Sequence, residues 1–437
     1  MAKVFKVLRN NWKKSVFAGV LSYYGINYLI DRRKQFLIMR ALCEEAGKQG
    51  QMPLPIGAHN KHITLFLNPA ASGRKSRPKF EKFSEPILHM AGFLVTIVKT
   101  ERVDEAKELA GLIQKTNIIA VAGGDGTLSE VVTGLLRRED ASEAAKTYPI
   151  GIIPVGYDNQ FASDLLKCDS TDEMQQISQA TMAIVKHRVE PKDVMEIRVI
   201  DVPESQPVEE VVAVAPSEDN VETPVTEMVE KVEEKPKPKP VYALSGVRLG
   251  MFREALKRKA DMSTILGDYF TTFWSFLWTD EQIFKAEIRY TPSCPGCLKC
   301  FKEEPIKNQN TSFVSRVMSV FRPRQAQEPR KPLVENEQCG MWTSVCIETP
   351  EFNIRPQEDG TLAMEIGKKL STTDFILQGL KLISNSKDTI ETKIGFNEAE
   401  IIPIQAPEYC SIDGDEFEVR PFYIRVLKNK LLFFSPT

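Results

Sequence analysis

Apolar residues recur with two different spacings in the first half of the chain. Short runs at His62-Ile63-Thr64-Leu65-Phe66-Leu67, Leu94 to Lys99, Ile118-Ile119-Ala120-Val121-Ala122 and Ile150 to Pro154 read as strands. Between them the spacing lengthens to a helical one, over about Pro78 to Ala91 and Val103 to Lys115. After Ala122 it places Leu128, Val131, Val132, Leu135 and Leu136 on one helical face. The order β-α-β-α-β predicts an α/β domain with a parallel sheet and helices on both faces. From Gly340 the pattern changes. Strand-like stretches at Trp342 to Ile347, Thr361 to Ile366, Lys393 to Phe396, Glu398 to Pro403, Glu416 to Pro421, Tyr423 to Val426 and Lys430 to Phe434 predict a mainly antiparallel β-sandwich.

Two stretches break both patterns. Residues 201–240 hold eleven acids, four lysines, seven prolines and no aromatic residue, too little apolar surface to offset the entropy of ordering. Residues 301–335 carry seven basic residues around a short amphipathic run, Phe313-Val314-Val317-Met318-Phe321. Both are expected as flexible insertions, the second with a face suited to an anionic membrane as an alternative. Near the N-terminus, Ser15 to Ile30 is mostly apolar between Lys13-Lys14 and Arg32-Arg33-Lys34. At ~1.5 Å per residue this run reaches roughly 24 Å, short of a ~30 Å hydrocarbon core, so it is a marginal span. Nine Lys or Arg against one acid in residues 1–40 suit a mitochondrial targeting segment. The domain layout expected is a basic membrane-anchoring helix in 1–53, a catalytic α/β domain in 60–190 and the sandwich in 191–437. A helix buried in the soluble body is the alternative for the first segment.

Composition narrows the chemistry. A net charge of −2 over 437 residues predicts no nucleic-acid partner. Eight cysteines are too few for a disulfide scaffold, and Cys43, Cys168 and Cys410 read as ordinary reduced or buried residues. Cys294, Cys297 and Cys300 form C-x₂-C-x₂-C, with Cys339 available as a fourth thiolate; a structural Zn²⁺ site and plain loop thiols both fit. Tyr269, Phe270, Phe273, Trp274, Phe276 and Trp278 form an aromatic stripe, read as core or as the lining of an acyl pocket.

The densest chemical signal is Gly123-Gly124-Asp125-Gly126-Thr127, between a predicted strand and a predicted helix. Glycines allow a phosphate to approach backbone amides, and the helix points its positive end at the same place. A carboxylate in such a turn implies a cation or a transferable proton, hence a nucleotide with Mg²⁺. A glycine turn needed only for packing is the alternative. A second loop, Asn68-Pro69-Ala70-Ala71-Ser72-Gly73, lies at the end of the first strand, where open parallel sheets bind ligands. Arg74 and Lys75 beside it suit phosphate oxygens.

The glycine motif, with Phe66-Leu67-Asn68-Pro69-Ala70-Ala71, Val95-Thr96-Ile97-Val98-Lys99-Thr100, Ile119 to Arg138 and the N-terminal Val4 to Lys14, resembles the mitochondrial acylglycerol kinases, a branch of the diacylglycerol and sphingosine kinase-like lipid kinases. The resemblance is close over residues 1 to 200 and patchy beyond. It implies ATP as phosphoryl donor, Mg²⁺, and an acylglycerol hydroxyl as acceptor. Backbone at Gly123, Gly124 and Gly126, with Ser72 and Gly73, would hold phosphates. Asn68, Thr100, Thr127 and Glu130 would border the nucleotide. Asp125 would organise Mg²⁺ or receive the hydroxyl proton, with Asp415, in Ser411-Ile412-Asp413-Gly414-Asp415-Glu416, competing for the second role. The family's Gly-Thr-x-Asn-Asp-Phe-Ala loop is altered to Gly156-Tyr157-Asp158-Asn159-Gln160-Phe161-Ala162, which removes an acid from the acceptor side. The resemblance further implies an anchor in the mitochondrial inner membrane, a body in the intermembrane space, and a kinase-independent place in the carrier-protein translocase. A small-molecule kinase of the NAD kinase type and a scaffold subunit with little kinase activity are the alternatives.

Overall fold

The computed structural model describes residues 12–51, 61–102, 104–167, 172–200, 238–262, 268–280, 283–294, 297, 336–337, 339–382 and 390–436. The insertion expected at 301–335, most of that at 201–240, and Cys168 and Cys300 lie outside them.

Strand β1 (His62–Leu67) pairs in parallel with β2 (Leu94–Lys99) on one side and β3 (Ile118–Gly123) on the other, and β3 pairs in parallel with β4 (Ile150–Pro154). The spatial order β2-β1-β3-β4 makes the chain leave β1 in one direction and return on its other side. A crevice therefore opens at the carboxyl ends of β1 and β3. Alternation of side chains sends Phe66, Ile119 and Val121 to one face and Leu65, Leu67, Ala120 and Ala122 to the other. The first face is covered by helices at Glu105–Gly111, Asp125–Leu136 and Ala141–Thr147, the second by helices at Ser76–Phe83, Glu85–Met90 and Glu173–Lys186. The helix expected over Pro78 to Ala91 is two. Pro86 has no N–H for the carbonyl four residues back, and Ser84 between the two helices shares a 2.7 Å hydroxyl hydrogen bond with Thr181.

The N-terminal helix, α1 (Trp12–Gly50), runs unbroken for 39 residues. Its last turns belong to the body: Ala46 is buried, and Ile38, Met39, Leu42 and Cys43 pack on the second face. Earlier turns expose Phe17, Leu21, Tyr24, Tyr28 and Leu29. Among the described residues no helix is long and apolar enough to cross a membrane.

The antiparallel part continues the same sheet. Strands β5 (Val189–Val199), β6 (Val241–Ala243), β7 (Val247–Gly250), β8 (Phe284–Pro292), β9 (Thr343–Thr349), β10 (Glu351–Pro356), β11 (Leu362–Gly367), β12 (Ile390–Gln405), β13 (Tyr409–Ile412), β14 (Asp415–Glu418) and β15 (Phe422–Phe434) follow. The path runs β14-β13-β7-β10-β11-β12-β15 and reaches the parallel part where Phe433 of β15 pairs with Ile150 of β4. Strands β12 and β15 change partners along their length, which curls the sheet around a core holding Phe284, Phe352, Phe396 and Ile424. Two pairs of expected short strands are thus single long ones. In β15 a register shift between Leu427 and Leu431 absorbs the polar Lys428-Asn429-Lys430 that suggested a break.

Candidate active site

The glycine turn sits at the carboxyl end of β3, in the crevice. Its helix, Asp125–Leu136, begins as expected and buries Leu128, Val131, Val132, Leu135 and Leu136. Each glycine marks a close approach. A Cβ on Gly123 would lie 2.8 Å from Thr127 Cβ, and one on Gly124 would lie 2.7 Å from the carbonyl oxygen of Asp158. The loop after β4 packs directly on the turn: Gly156 N donates to Gly123 O at 3.1 Å and Asp125 N to Asp158 O at 2.9 Å. The amide of Asp125 is therefore already taken. Amides of the next residues open the helix, where N–H groups lack intrahelical acceptors.

The aspartate of the motif is 3% exposed and heavily engaged. Its Oδ2 accepts from Gln160 N at 3.0 Å, from Phe161 N at 3.2 Å and from Ser245 Oγ at 2.6 Å. Asp125 thus caps the helix Gln160–Leu166 and reaches the β6–β7 turn. Burial lifts its pKa to about 7 against the pull of the Ser245 hydroxyl, with the nearby Asp158 and Asp413 adding to the rise.

Asp415 arrives from the far end of the sheet. The β13–β14 hairpin turns through Asp413 (φ 51°) and Gly414 (φ 94°), both left-handed, the Asp-Gly pattern of a tight hairpin turn. Asp413 is buried and accepts from the amides of Leu244, Ser245 and Gly246 at 2.7, 2.7 and 2.9 Å, with burial still lifting its pKa to about 6. This anchors the hairpin to the β6–β7 turn. Two residues on, the Asp415 carboxylate lies over Gly126, where any Cβ would collide with it. Burial raises Asp415 to about 7; Glu130, Asp413 and Asp104 raise it further and Lys107 opposes them. No hydrogen-bond donor among the described residues is committed to its side chain.

The remaining sequence candidates fall into two groups. Asn68 donates to Thr127 Oγ1 at 3.2 Å and accepts from Ala70 N at 3.0 Å, tying the first loop to the glycine helix. Thr100 is buried and its amide bonds Leu67 O at 3.1 Å. Glu130 accepts from Asp104 N at 3.3 Å, and burial raises its pKa. These residues surround the ends of β1 and β3. Ser72 and Gly73 lie one turn further out, in left-handed backbone (φ 54° and 63°), with Ser72 Oγ accepting from Lys79 Nζ at 2.8 Å. A cavity of about 610 Å³ lined by Pro69, Ala70, Arg74, Arg77, Thr100 and Glu101 opens beside them. Carboxylate oxygens are the donor type Mg²⁺ takes, and Asp415, with no donor committed to it, is the one best able to serve; among the described residues no three carboxylates converge on one point here.

Three functional neighbours escaped the sequence reading. Arg248 on β7 ion-pairs with Asp158 at 3.3 Å and bonds Gln160 Oε1, so the residue replacing the family's acid is held from the antiparallel part. Ser245 and Asp413 join the two halves. The Ser245-Gly246 dipeptide after a strand signalled a turn, and Asp413 stood inside a quoted motif; a lone Arg on a short strand gave no signal. The aromatic stripe divides in two. Phe276 is core with Phe252 and Phe375, whereas Phe270, Trp274 and Trp278 line a cavity of about 480 Å³ with Arg258, Met262 and Ser275.

Residues 62–197 match the diacylglycerol kinase catalytic domain. The chain is 33% identical to human "Acylglycerol kinase, mitochondrial", over 99% of this chain and 96% of that one, and 32% identical to the mouse protein of the same name with the same coverage. Among solved structures, a diacylglycerol kinase from Bacillus anthracis str. Sterne superposes with a TM-score of 0.46 at 17% identity, covering 86% of this chain and 97% of that one.

Proposed function

The chain belongs to the acylglycerol kinases, lipid kinases with a diacylglycerol kinase catalytic domain, and on that premise we propose that it transfers the γ-phosphoryl group of ATP to the free hydroxyl of monoacylglycerol and diacylglycerol. The products would be lysophosphatidic and phosphatidic acid. The observation that carries this reading is the meeting of Asp415 with the glycine turn across the sheet, beside a phosphate-compatible helix start. Nucleotide would lie along the Asn68–Gly73 loop, Thr100 and the Gly124–Thr127 turn, with Thr127 and Glu130 behind it.

In the transfer, the acceptor oxygen forms a bond to the γ-phosphorus as the bond to the bridging β–γ oxygen breaks, and ADP leaves. The acceptor proton goes to a carboxylate. Asp415, over Gly126 and near neutrality in pKa, is suited to take it; Asp125 is the competing acceptor, since its Oδ1 accepts only a 3.3 Å contact from Phe161 N. Whichever of Asp415, beside Glu130, and Asp125 does not take the proton would hold Mg²⁺, which when bound would neutralise phosphate charge. Positioning by Asn68, Asp125 and Arg248 supplies most of what this chain contributes, because phosphoryl transfer asks little covalent chemistry of a protein. The aromatic cavity at Phe270, Trp274 and Trp278 would take an acyl chain.

The names of its relatives support a mitochondrial location, and the exposed apolar turns of α1 between Lys13-Lys14 and Arg32-Arg33-Lys34 support attachment to a membrane; that this is the inner membrane, with the body in the intermembrane space, rests on the resemblance. A further place in the carrier translocase rests on the resemblance alone; crosslinks from α1 to translocase subunits would support it. The kinase reading is tested by transfer of labelled phosphate from ATP to monoacylglycerol, diacylglycerol and NAD presented separately with the purified chain in micelles. Labelled lipid and unlabelled NAD are expected. Labelled NAD with unlabelled lipid would replace this reading with that of a small-molecule kinase.

A further inference from the structure

At the connecting end of the β8–β9 hairpin, far along the antiparallel part, three thiols meet. Cys294 and Cys297 follow β8 and Cys339 precedes β9. Their sulfur atoms all lie within 4.8 Å of one another; Cys297 is 1% exposed and the other two are half-buried. No disulfide joins any of them. We propose that Cys294, Cys297 and Cys339 bind a structural Zn²⁺ ion that closes the base of the long insertion between β8 and β9.

Three lines of physical chemistry converge here. The first is ligand type and spacing. Zn–S bonds of ~2.3 Å in a tetrahedron put sulfurs about 3.8 Å apart, a small contraction of the observed cluster. Cys294-Pro295-Gly296-Cys297 offers two thiolates at the x₂ spacing common in such sites, and Cys339 joins them from a distant stretch of chain. The second is arithmetic. A disulfide would use two of these thiols and strand a third beside it, whereas a metal uses all three. Orientation supplies the third, since Asn336 Nδ2 donates to Cys294 Sγ at 3.4 Å, the kind of outer hydrogen bond that steadies a thiolate ligand.

The location gives the ion a purpose. Strands β8 and β9 pair without interruption from Phe284 with Thr349 to Tyr290 with Thr343. Beyond that last pair, residues 298–335 separate Cys297 in sequence from Asn336 and Cys339. Closing a loop of this length loses entropy, and among the described residues β9 pairs only with β8, so the end of the hairpin is open to fraying. A metal bridging the two stems would hold it shut. Cys300 continues the sequence pattern but lies outside the described residues and is assigned no part.

The test uses the full, untagged chain in detergent micelles under reducing conditions. Elemental analysis is expected to find one zinc per chain, falling to background in Cys294→Ser and Cys339→Ser. Cys346→Ser, on the exposed side of β9, should keep its zinc. Cobalt substitution should give a thiolate-to-metal charge-transfer band with tetrahedral visible bands, and zinc should protect the cysteines from alkylation. Should the serine variants fail to fold, the wild-type cobalt spectrum and alkylation pattern decide alone. Reduced wild-type protein that holds no zinc and gives no cobalt charge-transfer band would overturn the proposal, as would an intact mass two hydrogens lighter from a disulfide within the cluster.

Discussion

Two regions supply an aspartate to the crevice, and they treat it in opposite ways. The turn after β3 offers Asp125 and the β13–β14 hairpin offers Asp415. Burial raises both to a pKa of about 7. Asp125, however, receives two backbone amides and the Ser245 hydroxyl, while Asp415 receives no committed donor and faces Glu130 and Asp104. A similar pKa therefore marks two different jobs. Asp125 fastens the glycine turn to the acceptor loop and to the antiparallel part; Asp415 is left available to protons and cations. An elevated pKa says where chemistry is cheap to arrange, and the donor count says which carboxylate is free to perform it.

The contrast breaks most readily at Asp125. Asp125→Ala strands two amides at the start of a helix and a buried hydroxyl, which should destabilise the chain by about 2–4 kcal/mol and abolish turnover with it. Denaturant unfolding beside an activity assay reads both. Arg248→Met comes next. Loss of its ties to Asp158 and Gln160 should lower kcat/KM for lipid about tenfold, or ~1.4 kcal/mol, while ATP affinity stays within about twofold; equilibrium nucleotide binding separates the two.

A smaller effect lies in pH. Asp125, Asp413 and Asp415 have folded pKa values of about 7, 6 and 7, above their unfolded ones. Between about pH 4 and 7 the folded chain binds more protons than the unfolded, so these groups make stability fall as pH rises through that window. Thermal unfolding of nucleotide-free protein should show the fall, and Mg²⁺ should raise Tm more at about pH 8 than at about pH 5. The smallest change is expected from Gln160→Asp, which restores the family's acid beside Arg248 and should alter turnover by no more than about threefold in a lipid kinase assay.

Legibility followed the range of the interactions. The strands β1 to β4 and the glycine helix were readable because their apolar periods are local and uninterrupted. The Gly123–Thr127 motif was readable for the same reason, as turn, helix start and carboxylate sit within five residues. The antiparallel part was legible only as strand-rich. Strands β7, β8, β10 and β13 went unread; β12 and β15 were each read as two, because long strands that change partners interrupt their own alternation. Arg248 became visible only once β7 lay against the acceptor loop. The length of α1 was hidden by Gly19, Gly25 and Asn27, which lower helix propensity without ending the helix. Packing stood as the alternative use of the motif's glycines, but the partner of Gly124, the 156–158 loop, was invisible because it lies beyond another strand.

The division of labour between the two aspartates is tested most directly by Asp415→Asn. Turnover of monoacylglycerol in micelles should be measured with ATP and Mg²⁺, alongside ATP binding and thermal unfolding of the same preparation. The account predicts turnover reduced by about 10²- to 10⁴-fold, with ATP affinity within about threefold and Tm unchanged or raised, because a charge crowded by like charges has been removed. Wild-type turnover in this variant would contradict it and return the proton to Asp125.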